Sequence, residues 1–432
     1  MKSKFCKEQL IYNRLDVVAG IDYVESYEKK WNTDFFKSLH LTIKKCWNNL
    51  IDETYRGADE HIKRFNNLIE SVKTGFQEDK PIPVTEDERG HSLYNGYHRF
   101  SICHYHKIEP TYEITNGKGV VLSVNWLKNR KKHITFPEKY LDYMMQRFLL
   151  KHQVEFSCIL LFPNDKPLSP EIDNKIKNDF LFELKLEYPN NFKNNLILMA
   201  YADEPWRTAG GGGGKANPCF SHSNNPMKIV FLKKKSCEYM KQLKTEIRKH
   251  YKTGNDSCHS PDTQEECNWF ATLYNKNTRK FMQTCPTLVN KTEKQFQLEF
   301  LRLKDFCTRH SVDLNRICVT SSAVLSAYGI RDCNDIDILI DNDLEDVFRH
   351  SSFGRHNKYA EQGHYITSSD DIIYNPDNHF YYFGVKFCTI EIIYKYKQYR
   401  IENKLFGEQS IEKDKQDIQL IENEYFGYKF GG

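Results

Sequence analysis

Two aspartates two residues apart, Asp335 and Asp337, open the run Asp335-Ile-Asp-Ile-Leu-Ile340. Its alternation predicts a strand, and residues two apart on a strand project from one face, so both carboxylates aim at a single point. At about 5 Å and an effective dielectric near 20, two such charges repel by about 3 kcal/mol, a cost that a bound divalent cation removes. Oxygen-only donors favour Mg²⁺ or Mn²⁺. Glu391 is the lone acid among the apolar residues of Thr389-Ile-Glu-Ile-Ile393, part of a run, Cys388 to Ile393, with the texture of a buried strand. An acid there is costly without a partner. If its strand neighbours the first, it completes a three-carboxylate cage able to hold two cations on a nucleotide's phosphates. Ser321 and Ser322 fall between a predicted strand, Arg316 to Val319, and a predicted helix, Ser322 to Tyr328. Free N–H groups and the positive end of the helix dipole favour phosphate at such a junction. Arg331 and Lys386 are candidate phosphate contacts, and Lys413, Asp414 and Asp417 are read as tying the last helix to the sheet.

A second constellation lies in Gly90-His-Ser-Leu-Tyr-Asn-Gly-Tyr-His-Arg-Phe100. Gly96 turns the chain from a short strand into a helix that His98 and Arg99 open, which sets both side chains and the first helical N–H groups around an anion such as phosphate. A third candidate, in the middle of the chain, is His259-x-x-Asp262-Thr263-x-Glu265. There Asp262 or Thr263 also reads as the cap of a helix from Gln264 to Tyr274, with Glu265 and Glu266 favourable near its start. The five glycines at 210–214 are no phosphate-binding P-loop, because Lys215 is followed by Ala216 and the spacing is wrong.

These residues must be positioned by an α/β and α+β multidomain chain. Its 432 residues suffice for two to four domains, and 39% hydrophobic with 28% charged residues excludes a disordered or fibrous protein. Apolar runs are too short for a membrane span, and the N-terminus lacks the apolar core of a secretory signal. Thirteen cysteines without a Cys-x-x-Cys pair make neither a disulfide framework nor a structural zinc pattern, so a reducing, cytoplasmic setting is expected. A net charge of +4, with basic clusters only at 128–133 and 233–235, gives no basis for nucleic-acid binding. Helices are predicted over Phe35 to Leu50, His61 to Val72, Pro137 to His152, Glu238 to His250, Glu293 to His310 and Ile411 to Glu424, and strands over Phe156 to Phe162, Asn194 to Tyr201 and Met227 to Leu232. The glycine run reads as a loop inside one domain.

The small-residue turn, the helix, Asp335-x-Asp337 and the later Glu391 together resemble the nucleotidyltransferase superfamily typified by DNA polymerase β, over roughly residues 290 to 425. Ser321 stands where that signature has glycine. More narrowly, Ser321-Ser-x-x-Leu-x-x-Tyr-Gly-Ile-Arg331, Gly384-Val-Lys-Phe387 and Lys413-Asp-Lys-Gln-Asp-Ile418 resemble nucleotidyltransferase-like modules associated with surface-polysaccharide biosynthesis. The Asn95-Gly-x-His-Arg99 stretch, with residues 55 to 117 around it, resembles the ParB/sulfiredoxin fold, which includes a CTP-binding partition protein and an ATP-dependent serine kinase. Tyr97 replaces the sulfiredoxin cysteine, and no helix-turn-helix DNA reader follows. The loop at His259 is locally similar to the phosphohistidine loop of nucleoside diphosphate kinases.

These resemblances imply three domains: residues 1–120, ParB/sulfiredoxin-like with N-terminal helices; 121–288, a central α/β domain; and 289–432, nucleotidyltransferase-like. They imply an Mg²⁺- or Mn²⁺-dependent nucleotidyl- or phosphotransferase. Asp335, Asp337 and Glu391 would hold the metal, the substrate would be a nucleoside triphosphate, and the acceptor a small molecule or glycan. The alternatives are a small-molecule kinase centred on His98 and Arg99, and a non-catalytic nucleotide-binding scaffold. The base, the acceptor and the oligomeric state stay open.

Overall fold

Leu15, Val17, Val18, Ala19, Ile21 and Val24 are each at most 1% exposed. A helix apolar on so many sides must be enclosed by others. It is α1 (Leu15–Glu28), within the first of two units, residues 1–154 and 155–432, of the computed structural model. The structure describes residues 7–12, 14–48, 57–73, 80–87, 90–117, 124, 127, 136–153, 155–189, 191–204, 213–288 and 294–427.

In the first unit α1 packs against α2 (Phe35–Asn48). After α3 (Ala58–Lys73) come β1 (Ile82–Asp87), β2 (Gly90–Leu93), α4 (Tyr97–Tyr105) and β3 (Tyr112–Ile114). The three strands form a sheet of order β2-β1-β3, antiparallel on one side of β1 and parallel on the other. Helix α4 approaches α1 so closely that a Cβ on Gly20 would lie 2.4 Å from Ser101 Oγ. The following helix, α5 (Glu138–Arg147), belongs to this unit through Asp22, whose fully buried carboxylate accepts from Tyr143 Oη (2.7 Å), Arg147 Nε (3.0 Å) and Lys151 Nζ (3.2 Å). Burial opposes ionisation of Asp22, yet the Arg147 and Lys151 charges hold its pKa well below the carboxylate range.

The second unit opens with β4 (Phe156–Leu161), β5 (Phe180–Leu186), β6 (Met227–Lys233) and β7 (Cys258–His259), an antiparallel sheet of order β5-β6-β4-β7. Asn194 to Tyr201, read as a strand, instead lies largely in a helix, Phe192–Ala200. A short unbroken apolar run fits either state. Here Asn195 decides it by donating to the Met282 and Cys285 carbonyls (2.9 and 2.7 Å) and accepting from Leu288 N–H (2.9 Å).

The same unit holds a five-stranded mixed sheet of order β10-β9-β8-β12-β11, made of β8 (Ile317–Thr320), β9 (Asp337–Ile340), β10 (Gly354–Arg355), β11 (His379–Tyr382) and β12 (Val385–Cys388). Strand β8 pairs antiparallel with β9 and parallel with β12. The long helix Lys294–Arg309 buries Phe296, Phe300 and Leu303.

The chain thus has helices with small mixed and antiparallel sheets. Residues 121–154 group with the N-terminal unit, and 155–288 share a unit with the C-terminal segment, whereas the sequence division puts boundaries at 120 and 288. The basic cluster at 128–133 and glycines 210–212 lie outside the described residues. Among the described residues no helix is long and apolar enough to cross a membrane.

Removing the Asp22 carboxylate leaves Arg147 and Lys151 with Glu25 as their remaining ion-pair partner. Asp22→Ala is expected to lower stability by about 3–5 kcal/mol, read from urea midpoints of the full chain. Because the folded pKa is depressed, the wild-type contribution is present above the unfolded carboxylate range near 4 and lost as pH falls below it.

Candidate functional site

Strand β8 ends at Thr320, and the chain turns at Ser321 into the six-residue helix Ser322–Ala327. Ser321 takes φ 59°, ψ −138°. That backbone region suits glycine, and a serine held there costs about 1–3 kcal/mol. Asp335 precedes β9, Asp337 begins it, and both face one cleft of about 270 Å³ with Ser321 and Ser322. Helices Ile390–Glu402 and Glu408–Ile421 supply the other wall through Tyr396, Lys397, Arg400, Lys413 and Asp414. Phe406, between those helices, and Tyr359, on Asn357–Glu361, add aromatic surface.

The cationic wall is cross-braced. Arg331 donates Nε–H and Nη2–H to the two oxygens of Asp417 (2.5 and 2.8 Å). Lys397, 2% exposed, reaches both Asp414 (2.8 Å) and Asp417 (2.7 Å), and Arg400 pairs with Asp414 (3.0 Å). Asp414 and Asp417 therefore fix the last helix, as read, but against helix Ile390–Glu402 and Arg331 rather than onto a strand. Among the described residues Lys413 has no ion-pair partner, which leaves its charge available to the cleft.

Burial raises the pKa of Asp337 to about 6, with the charge of Asp335 adding to the rise, while a hydrogen bond from Ser321 and the charges of Lys397 and Arg400 oppose it. His356, absent from the sequence reading, sits with Nε2 3.4 Å from Asp337 Oδ1 and Nδ1 2.9 Å from Tyr365 Oη, which in turn lies 2.9 Å from Thr320 Oγ1. Burial, then Arg400, lowers its pKa to about 4, so the imidazole is neutral at pH 7. It stands 19 residues beyond Asp337 in no motif; only the pairing of Gly354 on β10 with Asp337 on β9 brings it in.

Three expectations need correction. Strand β12 stops at Cys388, so Glu391 sits not on a strand but in the first turn of helix Ile390–Glu402. Its Oε1 accepts from Lys280 Nζ (2.5 Å) and Tyr425 Oη (2.8 Å), and it does not line the cleft of Asp335 and Asp337. Burial resists its ionisation, but Lys280 and Tyr425 hold its pKa below normal. Lys386 is buried and donates to the Asn315 and Ile373 carbonyls (both 2.7 Å), a structural role away from the cleft. Arg331 lines the cleft, with its fork engaged by Asp417.

In the first unit, Gly96 takes φ 81° at the start of α4, as its turn role demands, and lines a cavity of about 560 Å³. The other two residues of the turn do not form the expected anion site. Arg99 turns back to the Lys80 and Pro81 carbonyls. His98 points its Nε2 at His40 (3.3 Å), and burial with neighbouring His40 and His61 drives its pKa well below normal, so it offers no positive charge. In the second unit, His259 packs on Tyr201 (ring centroids 4.6 Å) with its pKa lowered to about 3 by burial and nearby cations. Asp262 is exposed, and Thr263 with Glu266 forms a capping box on helix Gln264–Ala271.

No protein-family model matches the chain, and no curated protein or solved structure matches it significantly.

Two outcomes test the cleft. The folded pKa of Asp337, about 6, lies above the unfolded value, so stability of the metal-free protein falls as pH rises from about 4 to 6 and the cost persists above. Asp337→Asn is expected to add about 1–3 kcal/mol at pH 7.5 and to flatten that segment, in denaturation midpoints across pH. A Cβ on Gly354 would lie 2.1 Å from Asp337 Oδ1. Gly354→Ala should therefore displace that carboxylate and change the pH dependence of stability between about 4 and 6, with the far-UV spectrum unchanged.

Proposed function

We propose that this cleft binds a nucleoside triphosphate with Mg²⁺ (or Mn²⁺) and transfers a nucleotidyl or phosphoryl group from it. The observation that carries the reading is that Asp335 and Asp337 share one half-buried cleft, at an electrostatic cost, opposite an unpaired lysine. Mg²⁺ is commonly held by one or two carboxylates and completed by substrate phosphates and water, so the two aspartates suit it without Glu391. Bound there, the metal would neutralise charge on the phosphates and the leaving group. The resemblance of residues 290 to 425 to the nucleotidyltransferase superfamily points the same way. It also brings the carbohydrate or glycan acceptor and the three-domain reading as proposals.

In this account Asp335 and Asp337 orient the metal-bound phosphates. Ser321 holds the Asp337 carboxylate in place through its hydroxyl. Lys413 supplies a mobile charge to the triphosphate, while Lys397, Arg400 and Arg331 form a fixed positive wall. Tyr359 and Phe406 offer faces for a nucleobase. His356, neutral and anchored by Tyr365, is a positioning residue for Asp337. Twelve free cysteines among the described residues, eleven of them buried, are in keeping with a reducing, cytoplasmic setting.

A second reading, a nucleotide binder without turnover, is favoured by one observation: Glu391, the third acid, is engaged by Lys280 and Tyr425. Incubating the full chain and Mg²⁺ with nucleoside triphosphates labelled at the α or γ phosphate separates the cases. We expect α-label transfer with pyrophosphate release, and at least about 100-fold loss in Asp335→Ala and Asp337→Ala, equivalent to about 2.7 kcal/mol of barrier. γ-Label transfer sensitive to the same substitutions would make it a phosphotransferase. Binding without transfer would select the second reading, and no binding would overturn both.

A further inference from the structure

Three histidines far apart in sequence converge in the first unit: His40 on α2, His61 on α3 and His98 on α4. His40 Nε2 is 3.0 Å from His61 Nε2 and 3.3 Å from His98 Nε2, and the ligand-capable nitrogens of all three lie within 4.8 Å of one another. Three imidazole nitrogens on a tetrahedral Zn²⁺, at about 2.0–2.1 Å each, are separated by about 3.3–3.4 Å. The two separations from His40 are close to that, and the His61–His98 separation lies within 4.8 Å.

Protons account poorly for this arrangement. A neutral imidazole has one N–H and one acceptor nitrogen. His40 Nε2 faces two other Nε2 atoms, and as a donor it satisfies one and as an acceptor it receives one good bond. No tautomer choice therefore gives two full hydrogen bonds: a single N–H or a single lone pair on His40 Nε2 is shared between two partners. His40 is fully buried, its Nδ1 has no partner among the described residues, and no neighbour fixes its tautomer. A proton does not fill the gap at neutral pH either: burial lowers the pKa of His40 to about 3 and, with the charge of Lys44, that of His61 to about 4. All three rings are then neutral, the form that binds metal. They are held in place by aromatic neighbours. Tyr23 stacks on His40 (5.4 Å, 25°), and Phe65 lies 5.0 Å from His40 and 4.3 Å from His98, between ring centroids.

We propose that His40, His61 and His98 bind a divalent transition metal of the Zn²⁺ class through their Nε2 atoms, with the fourth coordination position open to a small anion or water. Three protein ligands and one open position is the pattern of reactive rather than structural zinc sites. The open side is assigned by His98, the member of the triad that lines the 560 Å³ cavity with Arg14, Lys44 and Gly96. Arg14 is engaged there in a bidentate pair with buried Asp16 (2.9 and 2.7 Å). Lys44 has no ion-pair partner among the described residues, and burial lowers its pKa. A dication beside Lys44 leaves the cavity short of negative charge, and an anion on the metal corrects this.

The test uses the full chain freed of metal by dialysis against chelator. Zn²⁺ calorimetry is expected to give one tight equivalent. Co²⁺ should give intense visible bands of a four-coordinate nitrogen-rich site, without a thiolate charge-transfer band, and these bands should shift on adding inorganic phosphate. His61→Ala and His98→Asn, verified as folded by circular dichroism, should each lose about 100-fold or more in Zn²⁺ affinity, beyond the 10- to 100-fold cost of removing an outer supporting partner. The Co²⁺ spectrum of the unaltered chain carries the test even if both variants misfold. No stoichiometric binding, affinity unchanged by both substitutions, or a thiolate band assigning the metal to cysteines would overturn the site. A spectrum insensitive to phosphate would overturn its open position.

Discussion

The burial of Asp337 beside a second carboxylate, Asp335, in one half-buried cleft is the constraint around which this site is arranged. Asp335 and Asp337 are brought together by the turn into β9, and burial makes their simultaneous ionisation costly. The surrounding structure contains that cost without cancelling it. Ser321 donates to Asp337 from a backbone conformation that serine rarely adopts, and Gly354 leaves room beside the same carboxylate. The cations opposite are divided between fixed and available charge: Arg331, Lys397 and Arg400 are braced by Asp414 and Asp417, and Lys413 is not. Such a braced network positions charge more than it stabilises the fold, since buried ion pairs repay their desolvation only in part. Strain and unneutralised charge confined to one concave place are features of sites kept for function.

How far the site was legible in the sequence depended on whether its geometry is local. Asp335 and Asp337 are two residues apart, so strand spacing placed them together, while Ser321 and Ser322 were read as a strand-to-helix turn and set beside them only by the family resemblance. Glu391 failed because Ile390, Ile392 and Ile393 have the composition of a strand, while the helix they begin is imposed by packing of its buried face; Ile390 and Ile393 are fully buried. Once the helix forms, the acid in its first turn points at Lys280 and Tyr425 rather than into the cleft. Lys386 failed for a related reason: a lysine in a buried strand looks like a ligand contact until two backbone carbonyls are found to receive it. His356 had no sequence signal, because its place follows from the pairing of β10 with β9.

The first unit teaches the same lesson with opposite sign. The turn at Gly96 was correctly read, since a left-handed residue ahead of a helix is a local property. What His98 faces is not local. The charge expected at an anion site is replaced by a neutral imidazole directed at two others, 58 and 37 residues away in the chain. Arg99, its neighbour, donates instead to the Lys80 and Pro81 backbone carbonyls. The apolar helix α1 was not among the elements read from the sequence, and its link to residues 138–152 runs through the buried carboxylate of Asp22 together with Glu25, which no periodicity reveals.

The central claim is that the aspartate pair exists to receive a metal-bound polyphosphate. It is tested most directly by calorimetric titration of the full chain with a nucleoside triphosphate at pH 7.5, with and without Mg²⁺, and again at pH 5.5. The account predicts saturable binding that requires Mg²⁺ and weakens at the lower pH, because protonation of Asp337, with its pKa near 6, competes with the metal. Binding that is indifferent to Mg²⁺ and to this pH change, or no binding at all, would contradict it.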